Sequence, residues 1–185
     1  MLRQLRQIRN SVSTSTFQTL VVALVIPKLD YGYSVLIGRT IHLIRHFQSV
    51  QNAAARLVCK LRRFDHITDA LIGLHWLRIP ERVIYKIAML TFKVLHGTTP
   101  KYLGPLVRVA DLPGRQAVHS ASTNRLKVPP YKLSTIGSCA FPVAGPHLWY
   151  GLPEEVTSAS SLLTFRKRLK TYLFRQSFPH VDLVH

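Results

Sequence analysis

The amino-acid sequence predicts a mainly α protein: a helical bundle over residues 1–110, then a Pro/Gly-rich irregular extension over 111–185 with minor short strands and a C-terminal basic helix. Three observations carry that expectation. Apolar residues recur at three- and four-residue steps in successive windows up to His96. Eight of the eleven prolines then fall between Pro100 and Pro153, where they punctuate the chain. Helical spacing returns after Ser161. With 185 residues, 47% hydrophobic and 18% charged, the chain can bury a core in one compact domain or two small ones.

The first helix is short and basic: Leu2, Leu5 and Ile8 step by three, with Arg3, Arg6 and Arg9 alongside them. Hydroxyls at 11–16 can cap a helix over about 17–26, which Pro27 kinks or ends. A long helix covers about 40–61. Its apolar line is Ile41, Ile44, Phe47, Val50, Ala54, Leu57, Val58 and Leu61, and its other side carries Arg45, Gln48, Asn52, Arg56, Lys60 and Arg63. Asp65 or Thr68 can cap a short helix over 69–74. Pro80 and Glu81 suit the start of a helix that Gly97 stops after His96. Val83, Ile84, Ile87, Thr91, Val94 and Leu95 make its inner face; Arg82, Lys86 and Lys93 share an outer line. Between 98 and 153, extended pieces are expected at 125–128 and 131–135. The last helix spans about 161–175, with Leu162, Phe165, Leu169 and Tyr172 inward and Arg166, Lys167, Arg168 and Lys170 as a dense basic cluster.

Charge is the second signal. The chain has 25 Lys+Arg against 8 Asp+Glu, a formal net charge of +17, and a surplus of that size favours polyanionic partners. Residues 1–63 hold the greatest excess, and their only acid is Asp30. Solvated helix faces ordinarily mix signs. An acid-free stripe of Arg45, Arg56, Lys60, Arg62 and Arg63, with Gln48 and Asn52 as hydrogen-bonding neighbours, therefore points to phosphate contact. Arg82, Lys86 and Lys93 are a second candidate set, and Arg166, Lys167 and Lys170 a third.

Other chemistries lack their residues. A two-metal polymerase or nuclease needs clustered carboxylates, whereas Asp30, Asp65, Asp69, Asp111 and Asp182 are dispersed, and Glu154 and Glu155 read as a helix first turn. With no phosphate-binding glycine loop and no glycine-flanked serine, no catalytic residue is expected. His42 and His46 are one helical turn apart but have no third ligand and sit among cations, so no metal site is expected. His75 and His147, each close to a tryptophan, are expected to pack or cap. Cys59 and Cys139 are too few for a disulfide scaffold and read as small buried hydrophobes. The most apolar run, 20–26, is far shorter than the about 20 residues of a membrane span. A polar stretch at 10–19 separates it from Arg3, Arg6 and Arg9, unlike a secretory leader. A nuclear or cytoplasmic protein, neither secreted nor transmembrane, is expected.

Several blocks, in order and spanning nearly the whole chain, carry a resemblance. They are Leu29-Asp30-Tyr31; VQNAAARLV at 50–58; LHWL at 74–77 with Tyr85-Lys86; TFKVLHG at 91–97 with Pro100 and Tyr102-Leu103; Phe141 with VAGP at 143–146, Leu148-Trp149 and Leu152-Pro153; and FRKRLKTYLF at 165–174. Together they resemble the region that follows the reverse-transcriptase palm in LINE-type, jockey-like non-LTR retrotransposons. Gly32 and Tyr33 stand where that family has Cys and Asn, and Arg78 where it commonly has Pro.

The resemblance implies a thumb-like helical domain with a C-terminal extension, part of an RNA-directed DNA polymerase. It implies contact with the minor-groove side of an RNA–DNA template–primer duplex. The catalytic aspartates and their Mg²⁺ would belong to a palm outside this chain, which alone would have no enzymatic activity, cofactor or small-molecule substrate. Two other readings stand beside it. The chain is a structural module that docks on the palm of a parent polyprotein, or a translated relic without a role.

Overall fold

The computed structural model describes residues 1–32, 41–100, 103–104, 106–111, 126–132, 137 and 140–180. These residues are mainly helical. The chain divides into two compact units, Met1–Pro80 and Glu81–His185. The 110/111 boundary expected from composition falls inside the second unit, because apolar residues of the proline-rich stretch bury against the helices on either side of it.

In the first unit, α1 (Leu2–Ile8), α2 (Thr14–Leu24), α3 (Ile26–Gly32) and α5 (Thr68–Gly73) all pack on α4 (Ile41–Cys59). The Ser13 hydroxyl caps α2, accepting from the Thr16 N–H at 3.2 Å. Pro27 sits in the first turn of α3, where its missing N–H is not needed. Ala54 and Ala55 of α4 and Phe17 and Val21 of α2 are all fully buried.

The buried line of α4 is Gln51, Ala54, Ala55 and Val58, and of the expected apolar line only Ala54 and Val58 belong to it. Ile41 is 66% exposed, and Ile44, Phe47, Val50 and Leu57 are half-buried. An apolar tally passes over Gln51, whose amide nitrogen donates to the Leu77 carbonyl far along the chain. α1 departs in the same way: Leu5 is buried, Ile8 is 41% exposed, and Arg9, at 7%, goes inside.

Three helices end on a left-handed residue whose successor donates back to the last turn. Lys60 (φ 55) follows α4, and the Leu61 N–H reaches the Arg56 carbonyl at 3.0 Å. His75 (φ 53) follows α5, with the Trp76 N–H on the Leu71 carbonyl at 2.9 Å. Gly97 (φ 67) ends α6 (Ile79–Leu95), with the Thr98 N–H on the Lys93 carbonyl at 3.0 Å. Only Gly97 adopts this conformation without a Cβ penalty. Lys60→Gly is therefore expected to stabilise the first unit by about 0.5–1 kcal/mol, seen as a higher urea midpoint at unchanged m. A lower midpoint would contradict the cap geometry.

The second unit continues α6 and adds a 3₁₀ turn at Val109–Asp111, then α7 (Phe141–Tyr150), α8 (Glu154–Thr157) and α9 (Leu162–Ser177). Its centre is aromatic: Phe165, fully buried, stacks on Phe92 at 4.4 Å and on Trp149 at 5.6 Å between ring centroids. α7 is the helix that the proline count conceals. Pro142 occupies its first turn. Pro146 forgoes one backbone bond, and burial of Val143, Ala144, Gly145, Pro146 and Trp149 holds the helix regardless. At Gly145 a Cβ would stand 2.9 Å from the Thr91 hydroxyl, so the absence of a side chain sets how closely α7 approaches α6.

The described part of the expected strands forms one isolated antiparallel bridge, Arg108 with Leu126, and no ladder. The Lys127 N–H donates to the Val107 carbonyl at 2.7 Å, and the Tyr150 hydroxyl donates to the Leu126 carbonyl. Residues 125 and 133–135 lie outside the described residues. On α9 the four-residue step from Phe165 to Leu169 and Leu173 sets the buried line, with Phe174 and Ser177 beside it. Leu162 is exposed and Tyr172 only half-buried.

Candidate nucleic-acid interface

Leu5 anchors α1 against α4, which leaves Arg3 and Arg6 exposed beside the contact. On α4, Ser49, Ala53 and Arg56 lie three and four residues apart, on the side away from buried Gln51, Ala54 and Val58. A groove of about 430 Å³ forms between these surfaces. Leu2, Arg3 and Arg6 line one wall; Ser49, Ala53, Arg56 and Leu57 line the other, with Leu61 and Arg63 from the turn after α4. It holds four guanidinium groups, an apolar floor and no acid.

Arg56 is the half-buried member. Its Nη2 donates to the Asp65 carbonyl at 3.4 Å, and its Nε is buried with no hydrogen-bond partner. An unsatisfied guanidinium N–H is costly. Arg63 lies over the ring of Phe64, 5.9 Å from its centroid. Asp65 does not cap α5, whose N-cap residue Ile67 has no side-chain bond. Its Oδ2 instead accepts from the Arg62 N–H at 2.6 Å, fixing the turn that carries Arg63.

Arg9 behaves differently from Arg3 and Arg6. Its Nε donates to the Leu57 carbonyl at 3.0 Å, and its Nη2 to the Val58 carbonyl at 3.2 Å. The guanidinium also lies 4.7 Å from the centre of the Phe17 ring. A cation is thus spent on the C-terminal end of α4, where helix carbonyls lack partners. Cys59, exposed rather than buried as expected, has its thiol pushed up by partial desolvation of the sulfur, against a smaller downward pull from Arg9. Cys139 lies outside the described residues.

Gln48 and Asn52 belong to a network within the first unit. The Gln48 amide nitrogen donates to Gln51 Oε1 at 3.0 Å and to Asn52 Oδ1 at 2.8 Å, while its oxygen accepts from the Ile79 N–H at 2.9 Å. Gln51, fully buried, donates to the Leu77 carbonyl at 2.9 Å. Gln48 therefore holds the start of α6. Gln48→Ala is expected to lower stability by about 1–2 kcal/mol, read as a lower urea midpoint at unchanged m. An unchanged midpoint would show that the network does not hold this turn.

Of the cations singled out in the sequence, the groove gathers Arg56 and Arg63 and adds Arg3 and Arg6. The two additions carried a signal in the sequence, an acid-free segment with cations at a three-residue step, but nothing there shows that α1 packs beside Arg56. Arg45 is exposed one turn before Ser49, and Lys60 and Arg62 are exposed after α4, outside the groove lining. In the second unit, Arg82 and Lys93 are half-buried and Lys86 is exposed on α6. Arg166, Lys167 and Lys170 are exposed on α9. Lys167 lines a separate groove of about 880 Å³ along α8 and α9, together with Arg168 and Arg175. There Arg168 Nη1 donates to the Glu155 carbonyl at 2.6 Å.

His42, His46, His75 and His147 are all exposed. Among the described residues, no group of three or more His, Cys, Asp or Glu is placed to hold a metal ion, and no helix is long and apolar enough to cross a membrane. Comparison with family models, with curated proteins and with solved structures finds no match.

Proposed function

We propose that the chain is a non-catalytic module that binds the phosphate backbone of an RNA–DNA template–primer duplex, as the C-terminal part of a retrotransposon reverse transcriptase whose palm and Mg²⁺ lie outside it. The observation that carries the binding reading is the groove between α1 and α4, where Arg3, Arg6, Arg56 and Arg63 converge without an acid among them. Guanidinium groups match phosphate oxygens in a planar fork. Such contacts set position and affinity without reading bases, which suits recognition of a duplex by shape and backbone. Arg45, Lys60 and Arg62 flank the groove and extend the cationic surface. The likeness to the retrotransposon family rests on the sequence blocks described above.

The test is fluorescence anisotropy with a labelled RNA–DNA duplex over a range of salt concentrations. The expected result is a straight fall of log affinity with log salt. Affinity that does not respond to salt would remove the backbone reading.

A second reading, docking on a polymerase palm, draws on other residues. Tyr31 at the end of α3 is 88% exposed, and Ile41 and Leu43 at the start of α4 are 66% and 37% exposed. Apolar side chains left at a surface suit a protein partner. Ile41→Ser with Leu43→Ser should weaken such docking and leave the salt slope on duplex intact.

A further inference from the structure

A turn beside the arginine groove holds an aromatic ring in water. Phe64, in the turn after α4, is 91% exposed, more than any other large hydrophobic residue among those described. A lone apolar side chain at a surface is ordinary. Three features set this one apart.

The first is the turn itself. The Asp65 N–H donates to the Arg62 carbonyl at 3.3 Å, and Asp65 Oδ2 accepts from the Arg62 N–H at 2.6 Å. These bonds close a four-residue turn with Arg63 and Phe64 at its central positions. Arg56 Nη2 donates to the Asp65 carbonyl at 3.4 Å, which ties the turn to α4. The backbone is therefore held before a ligand arrives, and a phenyl ring has only two side-chain torsions left to order. The second feature is charge. Lys60, Arg62 and Arg63 are exposed close to Phe64 in the chain, against the single carboxylate of Asp65. A protein pocket closing over the ring would strip water from these cations, which is costly. A nucleotide meets them with its phosphates. The third feature is Arg63, which serves both places: it lines the groove, and its guanidinium carbon lies 5.9 Å from the Phe64 ring centroid. A phosphate held by Arg63 has a flat aromatic surface beside it.

We infer that Phe64 stacks on an unpaired nucleobase of the RNA strand where that strand leaves the bound duplex. The inference rests on the duplex reading above and adds a subsite to the same surface. A template runs on past its primer, so a base without a partner lies next to the duplex. Every base has a π face, so stacking on an aromatic side chain tolerates any sequence, in keeping with a groove that holds backbone rather than base edges.

The test measures anisotropy with the full chain on RNA–DNA duplexes whose RNA strand carries a short single-stranded extension at its 5′ or its 3′ end. Each extension is made once with bases and once abasic. The two forms have the same phosphates, so the ratio of their affinities reports the bases alone. At one end the base-bearing form is expected to bind at least about fivefold more tightly. Phe64→Ala, at an exposed position that leaves the urea midpoint unchanged, should bring that ratio to one and leave the salt slope on blunt duplex as in the parent. Phe64→Leu keeps apolar bulk without a π face and should lose the preference as well. Phe64→Trp should keep it. The new indole should be quenched by the base-bearing extension and not by the abasic one, against the background of Trp76 and Trp149, which are buried. A parent ratio of one at both ends, or a preference that survives Phe64→Ala, overturns the inference. A preference kept in full by Phe64→Leu makes the contact merely apolar and overturns it too. Blunt-duplex affinity that ignores salt overturns the backbone reading instead, and the ratio on the extensions still decides for or against Phe64.

Discussion

Arg9→Met is expected to lower the stability of the first unit by about 3 kcal/mol. Arg9 is 7% exposed, and its guanidinium donates to two backbone carbonyls at the end of α4, those of Leu57 and Val58, at 3.0 and 3.2 Å. Charged donors contribute about 1.5–3 kcal/mol per hydrogen bond, and removal leaves buried acceptors unmatched. The cation over Phe17 adds about 0.5–2 kcal/mol. Against these, methionine fills much of the space and needs no desolvation of a charge, which keeps the net loss near 3 rather than the full sum. The measurement is urea denaturation followed through Trp76, which is buried in the same unit. Arg6→Met, at an exposed position three residues earlier, should stay within about 0.5 kcal/mol of the parent. Arg9→Lys keeps the charge but loses the fork, and should recover only part of the loss. If Arg9→Met and Arg6→Met are equally stable, Arg9 is not a structural residue.

Three arginines at equal spacing thus have two fates, and sequence spacing does not separate them. The helices over 41–59 and 79–95 follow from periodicity and from Pro80 and Gly97, whose local chemistry decides where a helix starts and stops. α7 could not be read that way. Its Pro142 and Pro146 argue against a helix, and the compensation comes from α6, where Thr91 faces Gly145. Gln51 reads as a surface residue because the Leu77 carbonyl that binds it lies far along the chain. The charge excess of the first 63 residues is visible in the sequence, and so are Arg56 and Arg63 as candidates. Their convergence with Arg3 and Arg6 is a consequence of how α1 lies on α4, which no linear pattern records. Tertiary context supplied what was missed, in the fold and in the groove alike.

Replacing Arg3, Arg6, Arg56 and Arg63 together with glutamine is expected to remove most of the salt dependence of duplex binding. Each phosphate contact adds about 0.9 to the slope of log affinity against log salt on B-form DNA, and a comparable step is expected on an RNA–DNA duplex. Four contacts then lower the slope by about 3 to 4, so that between 1 M and 0.1 M salt the parent gains about three to four orders of magnitude more affinity than the variant. The same changes made to lysine keep the charge and lose the bidentate fork. They should preserve the slope while weakening binding at every salt concentration, which separates electrostatic contact from geometry. Two matched sets locate the surface. Arg45, Lys60 and Arg62 changed to glutamine should lower the slope only if the duplex extends past the groove along α4. Arg166, Lys167 and Lys170 changed to glutamine report whether the second unit touches the same duplex. If the four-arginine variant, shown to be folded by its urea midpoint, keeps the parent slope, then the groove is not where phosphates sit. In that case the exposed apolar residues around Ile41 become the better guide to what the chain binds.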